Sequence, residues 1–443
     1  MLITPNGIGN ARSRSIAAGS AKATCMEDRK QGITPYVILI VALTFLCNVF
    51  LGEETRALGL SVPMIIKEFG ITGTQLGFAQ TVAGWVGIAG WFAMLLIADG
   101  MGRKPAFLAV LIGYTITAPL IGFAGSFVQL GMLLAFAAIP RNTGTINYMI
   151  LAETVPPNVR AFVLSFLNSS VVVAYMMTAL LAGWMVPKFG WRSLFYIDVL
   201  CVILLIVAWW KMRETDSFTN ARLHRESLGK RQRPDLLLPW KKYPGRSFLG
   251  FCIQVVYLGA YPSFSPWQTA WLVNEVKLPY VQSTDWVAIW LGCSAVAYWL
   301  CGWMSNQFGK KLAVPLFAGL GGCFFLAIIF GTWTQGEIFW LGLGLNFFVT
   351  GHYGSGSYAY VNELFPAQIR GSVQASFAIV VGFVVSFVPT IPPWIAGNAM
   401  DHISRGFIFP MVLTFAAAFI FLFIAPETAR KPLDDVVEEA AKP

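Results

Sequence analysis

Long apolar runs, each closed by a short polar stretch, set the pattern of this chain. They centre near positions 44, 88, 115, 138, 172, 203, 256, 293, 322, 348, 383 and 415. A helix needs about 20 apolar residues to cross a hydrocarbon core about 30 Å thick, and these runs have that length. They predict twelve spanning helices, six on each side of a polar stretch at 212–246. The runs near 138, 256 and 348 are interrupted by polar residues. Strands of a membrane barrel would be about 10 residues long and alternate in polarity. These runs are longer and continuously apolar, so the expected fold is all-α and integral to the membrane.

Composition agrees. Of 443 residues, 56% are hydrophobic and 12% charged, where soluble domains carry about 25% charged residues. The net charge of +9 matters through its placement. With the amino terminus taken as cytoplasmic, 24 of the 31 lysines and arginines fall on the cytoplasmic side. The positive-inside rule then puts both termini in the cytoplasm of a multi-pass inner-membrane protein. These cations sit at membrane edges, which argues against a nucleic-acid partner and for the lipid bilayer. The expected organisation is a tail at 1–33, a six-helix bundle at 34–211, a linker at 212–246, a second bundle at 247–425 and a tail at 426–443.

The first 33 residues are polar and basic and lack the apolar core of a secretory signal. Met26 is an alternative start, so residues 1–25 are expected to be disordered or untranslated. Seven cysteines, Cys25, Cys47, Cys201, Cys252, Cys293, Cys301 and Cys323, include no C-x-x-C pair. They suggest neither a disulfide framework nor a metal site, and no cofactor is expected.

Short motifs recur between the two sets of runs. DGMGRK from Asp99 matches NQFGKK from Asn306, so Gly102 and Gly309 are offset by 207 positions. ETVPPNVR from Glu153 matches ELFPAQIR from Glu363, offset by 210. RETDSF after span 6 and PETARKPL after span 12 place Glu214 and Glu427 213 positions apart. Several matches in one order imply a duplicated six-helix unit. Two parallel repeats with a site between them near the midplane is a transporter plan.

On these residues, over roughly 36–430, the chain resembles the major facilitator superfamily. The loop after span 2 keeps Ala98, Asp99, Gly102, Arg103 and Lys104 of the family's G-x-L-A-D-R-x-G-R-K. It departs at Leu95 and Gly100, and the second copy keeps Gly302 and Gly309 with Asn306 in place of the aspartate. PET followed by Leu433 resembles the sugar and organic-acid porters. GEETRALGLSVPMIIKEFGITGTQLG, from span 1 into span 2, resembles the organic-anion porters, whose acidic-arginine pair is interrupted here by Thr55. The resemblance implies two pseudo-symmetric six-helix bundles whose helices 1, 4, 7 and 10 line a cavity.

The turn residues then read as a conformational latch. Gly102 and Gly309 permit tight turns, and Arg103 and Lys104 hold the loop inside. Asp99 can meet a positive helix end or a cation of a neighbouring span in one state and leave it in the other. Glu153 with Arg160, and Glu363 with Arg370, are expected to bridge the halves when the cytoplasmic side closes. The competing reading is that these are topogenic charges and solvated surface pairs.

Ionisable groups within spans cost about 2.5–3.5 kcal/mol on insertion scales and so point to function. Arg141 lies twelve residues before Glu153, about 18 Å up the helix. It can hold a carboxylate or phosphate by two parallel hydrogen bonds, or form a structural pair with a span-1 carboxylate. The repeat offset places His352 beside the counterpart of Arg141 and Asn142. His352 can exchange a proton near neutral pH, or be a packing histidine. Glu53 and Glu54 lie about 26 Å along span 1, expected near its periplasmic edge, where one could carry a coupling proton. Tyr257, Tyr261 and Gln268 in span 7 and Tyr353 in span 10 complete the expected substrate-binding set, near helix-breaking Pro262 and Pro266.

The leading expectation is a secondary transporter, proton-coupled, importing a small organic anion as a monomer. Within the same fold the alternative is a neutral or aromatic solute such as a vitamin, or drug export, with Arg141 structural. A membrane enzyme lacks support, because no H-E-x-x-H, G-x-S-x-G or nucleotide-binding G-x-x-x-x-G-K-[ST] motif occurs.

Overall fold

The computed structural model describes residues 34–428 except 142–143, 216–217, 220–235, 356–359, 362 and 367–368. Among the described residues all regular structure is helical. The first set of helices comprises α1 Pro35–Phe69, α2 Gly73–Gly100, α3 Arg103–Leu120, α4 Phe127–Arg141, α5 Thr145–Thr154, α6 Pro157–Phe189 and α7 Arg192–Lys211. The second comprises α8 Pro244–Phe264, α9 Tyr280–Phe308, α10 Lys310–Phe330, α11 Gln335–Gly351, α12 Arg370–Val385 and α13 Ile408–Phe419.

Among the described residues ten helices are long and apolar enough to cross a membrane. The expected spans near 138 and 348 fall short of that measure among the described residues. One is divided into α4 and α5 around 142–143, and α11 is described for 17 residues. Both contain the polar stretches that blurred the same runs in the sequence.

Local chemistry fixes the ends of the helices. Thr34 caps α1, its hydroxyl accepting from the Val37 N–H, with Pro35 in the first turn. Gly70 ends the helix in the left-handed region at φ 61°. Thr72 and Gln75 form a capping box at the start of α2. The 35 residues of α1 span about 52 Å, well beyond a hydrocarbon core of about 30 Å.

That length corrects one expectation. Glu53 and Glu54 lie halfway along α1 rather than at its edge, and they are 5% and 1% exposed. The helix simply continues for sixteen residues past Glu53, through Pro63, to Phe69.

Glycines let the helices approach closely, as small residues do within membranes. Gly90 of α2 faces the Ile139 backbone of α4, and Gly342 of α11 faces the Trp290 indole. The packing also gives the molecule two unlike ends. At the end bearing Gly70 and Asn398, the far end, one apolar cluster joins both sets, from Ala57 and Leu76 to Trp267 and Phe407. At the end bearing Gly102 and Gly309, the turn end, each set has its own cluster, one around Phe107 and Leu151 and the other around Tyr360 and Phe365.

Candidate functional site

Hydrogen bonds join the two sets at the far end and form a seam. The Thr74 N–H and hydroxyl donate to Asn398 Oδ1 at 2.9 and 2.6 Å. The Thr81 and Thr390 hydroxyls lie 2.8 Å apart, and the Trp85 indole donates to Phe383 O at 3.0 Å. Gly77 packs on the Thr390 backbone. Below the seam, towards the turn end, lies a cavity of about 500 Å³ between the sets. Thr55, Leu58, Gln80, Trp91 and Arg141 contribute from the first set, and Leu258, Pro262, Tyr353, Gln374 and Phe377 from the second. Arg141 is the one charged residue in its wall among the described residues. A larger hollow of about 1020 Å³ is walled by Phe78, Val128, Met132 and Trp394 without any charged residue. These four side chains are exposed on the outside of the bundle, so the first cavity is the candidate path.

Arg141 Nη1 lies 2.8 Å from Glu54 Oε1. The pair forms because α4 and α1 bring both groups together inside the bundle, where neither charge tolerates isolation. The carboxylate is wholly enclosed and the guanidinium side chain is 17% exposed, so the cationic partner is the one that faces the cavity. Glu54 Oε2 has no hydrogen-bond partner among the described residues. Behind the pair, Glu53 lies within electrostatic reach of Asp198 and Glu54. Asp198 Oδ1 accepts from the Tyr114 hydroxyl at 3.0 Å. Asp198 is buried in α7, and the same rule that singled out Arg141 applies to it.

The aromatic residues divide by depth. Tyr353 lines the cavity, while the Tyr257 hydroxyl donates to His352 O at 2.5 Å. The His352 ring is 0% exposed, 4.8 Å from the Tyr257 ring and 4.7 Å from that of Tyr353. It therefore sits behind Tyr353 and outside the residues that line the cavity, although it was expected among the substrate-binding and proton-exchanging groups. The 3-10 turn of residues His352–Ser355 that follows α11 packs against α9 and α10. Asn142 lies outside the described residues.

Gln268 is buried in the seam, and its partner is Arg56, a residue the sequence reading left without a role. Arg56 Nη2 donates to Gln268 Oε1 at 2.9 Å, and Gln268 Nε2 donates to Asn346 Oδ1 at 2.8 Å. Arg56 Nη1 donates to Ser265 O at 2.9 Å, a carbonyl exposed where Pro262 and Pro266 break α8 into a 3-10 turn. Tyr261 lies nearby, its hydroxyl buried without a partner.

The turn end carries two copies of one brace. Gly102 and Gly309 have φ of 122° and 93° and precede α3 and α10. A side chain at either position would collide with the carboxylate of Glu214 or Glu427. Glu214 Oε1 accepts from Arg103 N at 2.8 Å, and Lys104 N donates to Glu214 Oε2 at 3.2 Å. Glu427 accepts from Lys310 N at 3.1 Å and Lys311 N at 2.9 Å. Carboxylates suit these positive helix starts.

Arg103 Nη2 meets Glu153 at 2.9 Å, and Lys310 Nζ meets Glu363 at 2.7 Å. These ion pairs join helices of one set; the bridges between the halves expected for a closed cytoplasmic side are not among the ion pairs of the described residues. Asp99 pairs along its own chain with Arg103 at 3.2 Å and is half exposed. Asn306 is exposed at the end of α9. Arg370 Nε donates to Phe365 O at 3.1 Å. Arg160 belongs to α6, and its side chain lies outside what is described.

A model of the Major Facilitator Superfamily matches residues 39–389. The chain is similar to a cis,cis-muconate transport protein of Acinetobacter baylyi, 25% identical over 74% of this chain and 80% of that one. It is similar to a niacin transporter of the same organism, 23% identical over 86% of this chain and 92% of that one. Its fold is similar to an inward open xylose transporter from E. coli, with TM-score 0.72, 15% identity and coverage of 91% of this chain and 99% of that one. A helical, multi-pass architecture with a cavity between two sets of helices fits a transporter and not an enzyme, and with a family model spanning most of its length the chain belongs to the Major Facilitator Superfamily.

Proposed function

We propose that this protein is a proton-coupled symporter that brings a small organic anion into the cell by alternating access, as a monomer built of two six-helix bundles. The observation that carries the reading is the buried Glu54–Arg141 pair, with its cation in the cavity wall. While Glu54 is ionised, Arg141 is neutralised. A proton on Glu54 leaves the guanidinium uncompensated in an apolar surrounding, where a lone charge is costly. A substrate carboxylate can then take Glu54's place through two parallel hydrogen bonds. Anion and proton load together, and they leave together when the pair re-forms. Tyr353, Trp91 and Phe377 offer flat apolar walls for the body of the solute.

Two relatives carry names of acids, muconate and niacin, which supports a carboxylate as the common chemical handle. The turn end is assigned to the cytoplasm, because the surplus of lysines and arginines lies there. In this reading the cavity opens towards the cytoplasm.

The test is uptake into proteoliposomes with an imposed pH gradient, using cis,cis-muconate, nicotinate and neutral nicotinamide. Wild type should accumulate an acid when the outside is the more acidic. Glu54→Gln should exchange the acid but not accumulate it, and Arg141→Gln should do neither. Equal transport of nicotinamide by wild type and Arg141→Gln would replace this reading by that of a neutral-solute carrier.

A further inference from the structure

A second guanidinium lies deeper in the seam, and its surroundings are incomplete in a way that those of Arg141 are not. Arg56 is 2% exposed. Among the described residues no carboxylate lies within ion-pair distance of it. Its acceptors are neutral, Ser265 O and Gln268 Oε1, both from the second set of helices. Arg56 Nε has no hydrogen-bond partner. The hydroxyls of Tyr261 and Tyr280, both within electrostatic reach of Arg56, are likewise buried and unpartnered. The Tyr175 ring lies 6.0 Å from the guanidinium. Buried charges are ordinarily paired, and buried donors ordinarily find acceptors. Here a cation and two hydroxyl groups converge without an anion, and a carboxylate is the acceptor that would serve all three.

We propose that Arg56, with Tyr261 and Tyr280 opposite it, is a second carboxylate-binding subsite that the seam masks and that opens with the far end. The proposal rests on the organic-anion reading above and adds the group that receives the anion on the far side. When the sets part there, Arg56 loses both of its neutral acceptors, because both belong to the other set. An incoming carboxylate takes over those two hydrogen bonds and the free Nε. As the sets close again, the Tyr261 and Tyr280 hydroxyls can donate to the same carboxylate from the opposite wall. Tyr175 lies within electrostatic reach of both Arg56 and Arg141, so the two guanidiniums border one residue and form two steps of one route. A solute with two carboxylates could engage both.

The experiment measures maleimide labelling of Thr390→Cys, a position buried in the seam against Thr81. It is run on the full-length protein, with and without cis,cis-muconate or nicotinate. An acid that binds the far-open form about tenfold better than the closed form raises the open population by about that factor, so labelling should rise about tenfold. Gln268→Ala should raise labelling without any acid and keep the response, which shows that the label reports opening. Arg56→Gln should also label fast, but with the response to acid lost. Arg56→Lys, which keeps the charge, should recover part of it. If Arg56→Gln responds to acid as its parent does while Arg141→Gln does not, Arg56 is only a clamp and the subsite is refuted while the organic-anion reading stands. If Gln268→Ala labels faster but neither acid changes labelling in any variant, both readings fall.

Discussion

Glu214 and Arg103 stand 111 positions apart in the chain, and the Glu214 carboxylate accepts the Arg103 backbone N–H at 2.8 Å. The second set repeats the contact between Glu427 and Lys310 at 3.1 Å. Each carboxylate comes from just beyond the last helix of its set and satisfies the N–H groups that open the third. It thereby ties the end of each repeat back to its own turn.

Those ties set the cost of changing the turn glycines. Gly102→Ala and Gly309→Ala place a side chain at positive φ, at a cost of about 1–2 kcal/mol each, and displace the carboxylate as well. Glu214→Ala removes the cap, at a cost of about 0.5–2 kcal/mol. In Gly102→Ala the cap is already displaced, so adding Glu214→Ala should cost less than it does alone. Thermal unfolding of the two single variants and the double variant in detergent checks this, and strict additivity would contradict the shared contact.

The buried pair on the path makes an asymmetric prediction. Arg141→Gln leaves Glu54 enclosed without its cation, and losing one partner of a buried pair costs about 3–5 kcal/mol. Glu54→Gln strands a guanidinium that is 17% exposed where the carboxylate is wholly enclosed, so it should cost less. The double variant, with no charge to strand, should be more stable than Arg141→Gln alone. Melting temperatures of the three proteins in one detergent give the order directly.

Much of this architecture was legible before any coordinates. Span lengths, the two-fold repeat and the glycine turns follow from hydropathy and from offsets of 207 to 213 positions. Arg141 was legible too, because a charge within a span stands out. A pair with a span-1 carboxylate was legible as the alternative reading, but the depth of that carboxylate was not. Hydropathy marks where an apolar run fades, but α1 continues through Glu53, Glu54 and Arg56 to Phe69, which moves those groups from the expected edge to the middle. Arg56 and Gln268 are 212 positions apart, and no local pattern announces a contact made only when two sets of helices close. His352 lies at the expected repeat position, but the side to which its ring turns depends on the 3-10 turn after α11.

The seam can be tested by covalent closure. The Thr81 and Thr390 hydroxyls are 2.8 Å apart, so T81C/T390C should oxidise readily to a disulfide. The linked protein should lose uptake, and a reducing agent should restore it. Uptake that survives complete cross-linking would show that the two sets need not separate there.

A packing contact predicts the opposite bias. Gly77 lies against the Thr390 backbone, where an added Cβ would fall 2.7 Å from the Thr390 Cα. Gly77→Ala should push the far end apart. Labelling of a seam cysteine should be faster than in the parent, with little loss of unfolding temperature.

The pairings at the two ends differ in kind. At the turn end the ion pairs among the described residues, Arg103–Glu153 and Lys310–Glu363, stay within one set, so parting there separates neither of them. At the far end the bonds to be broken link hydroxyls, an amide, an indole and a guanidinium held by neutral acceptors. Such bonds contribute about 0.5–1.5 kcal/mol each and, unlike exposed ion pairs, are little affected by dissolved salt. The cycle of this carrier should therefore turn at nearly the same rate in dilute and in concentrated electrolyte.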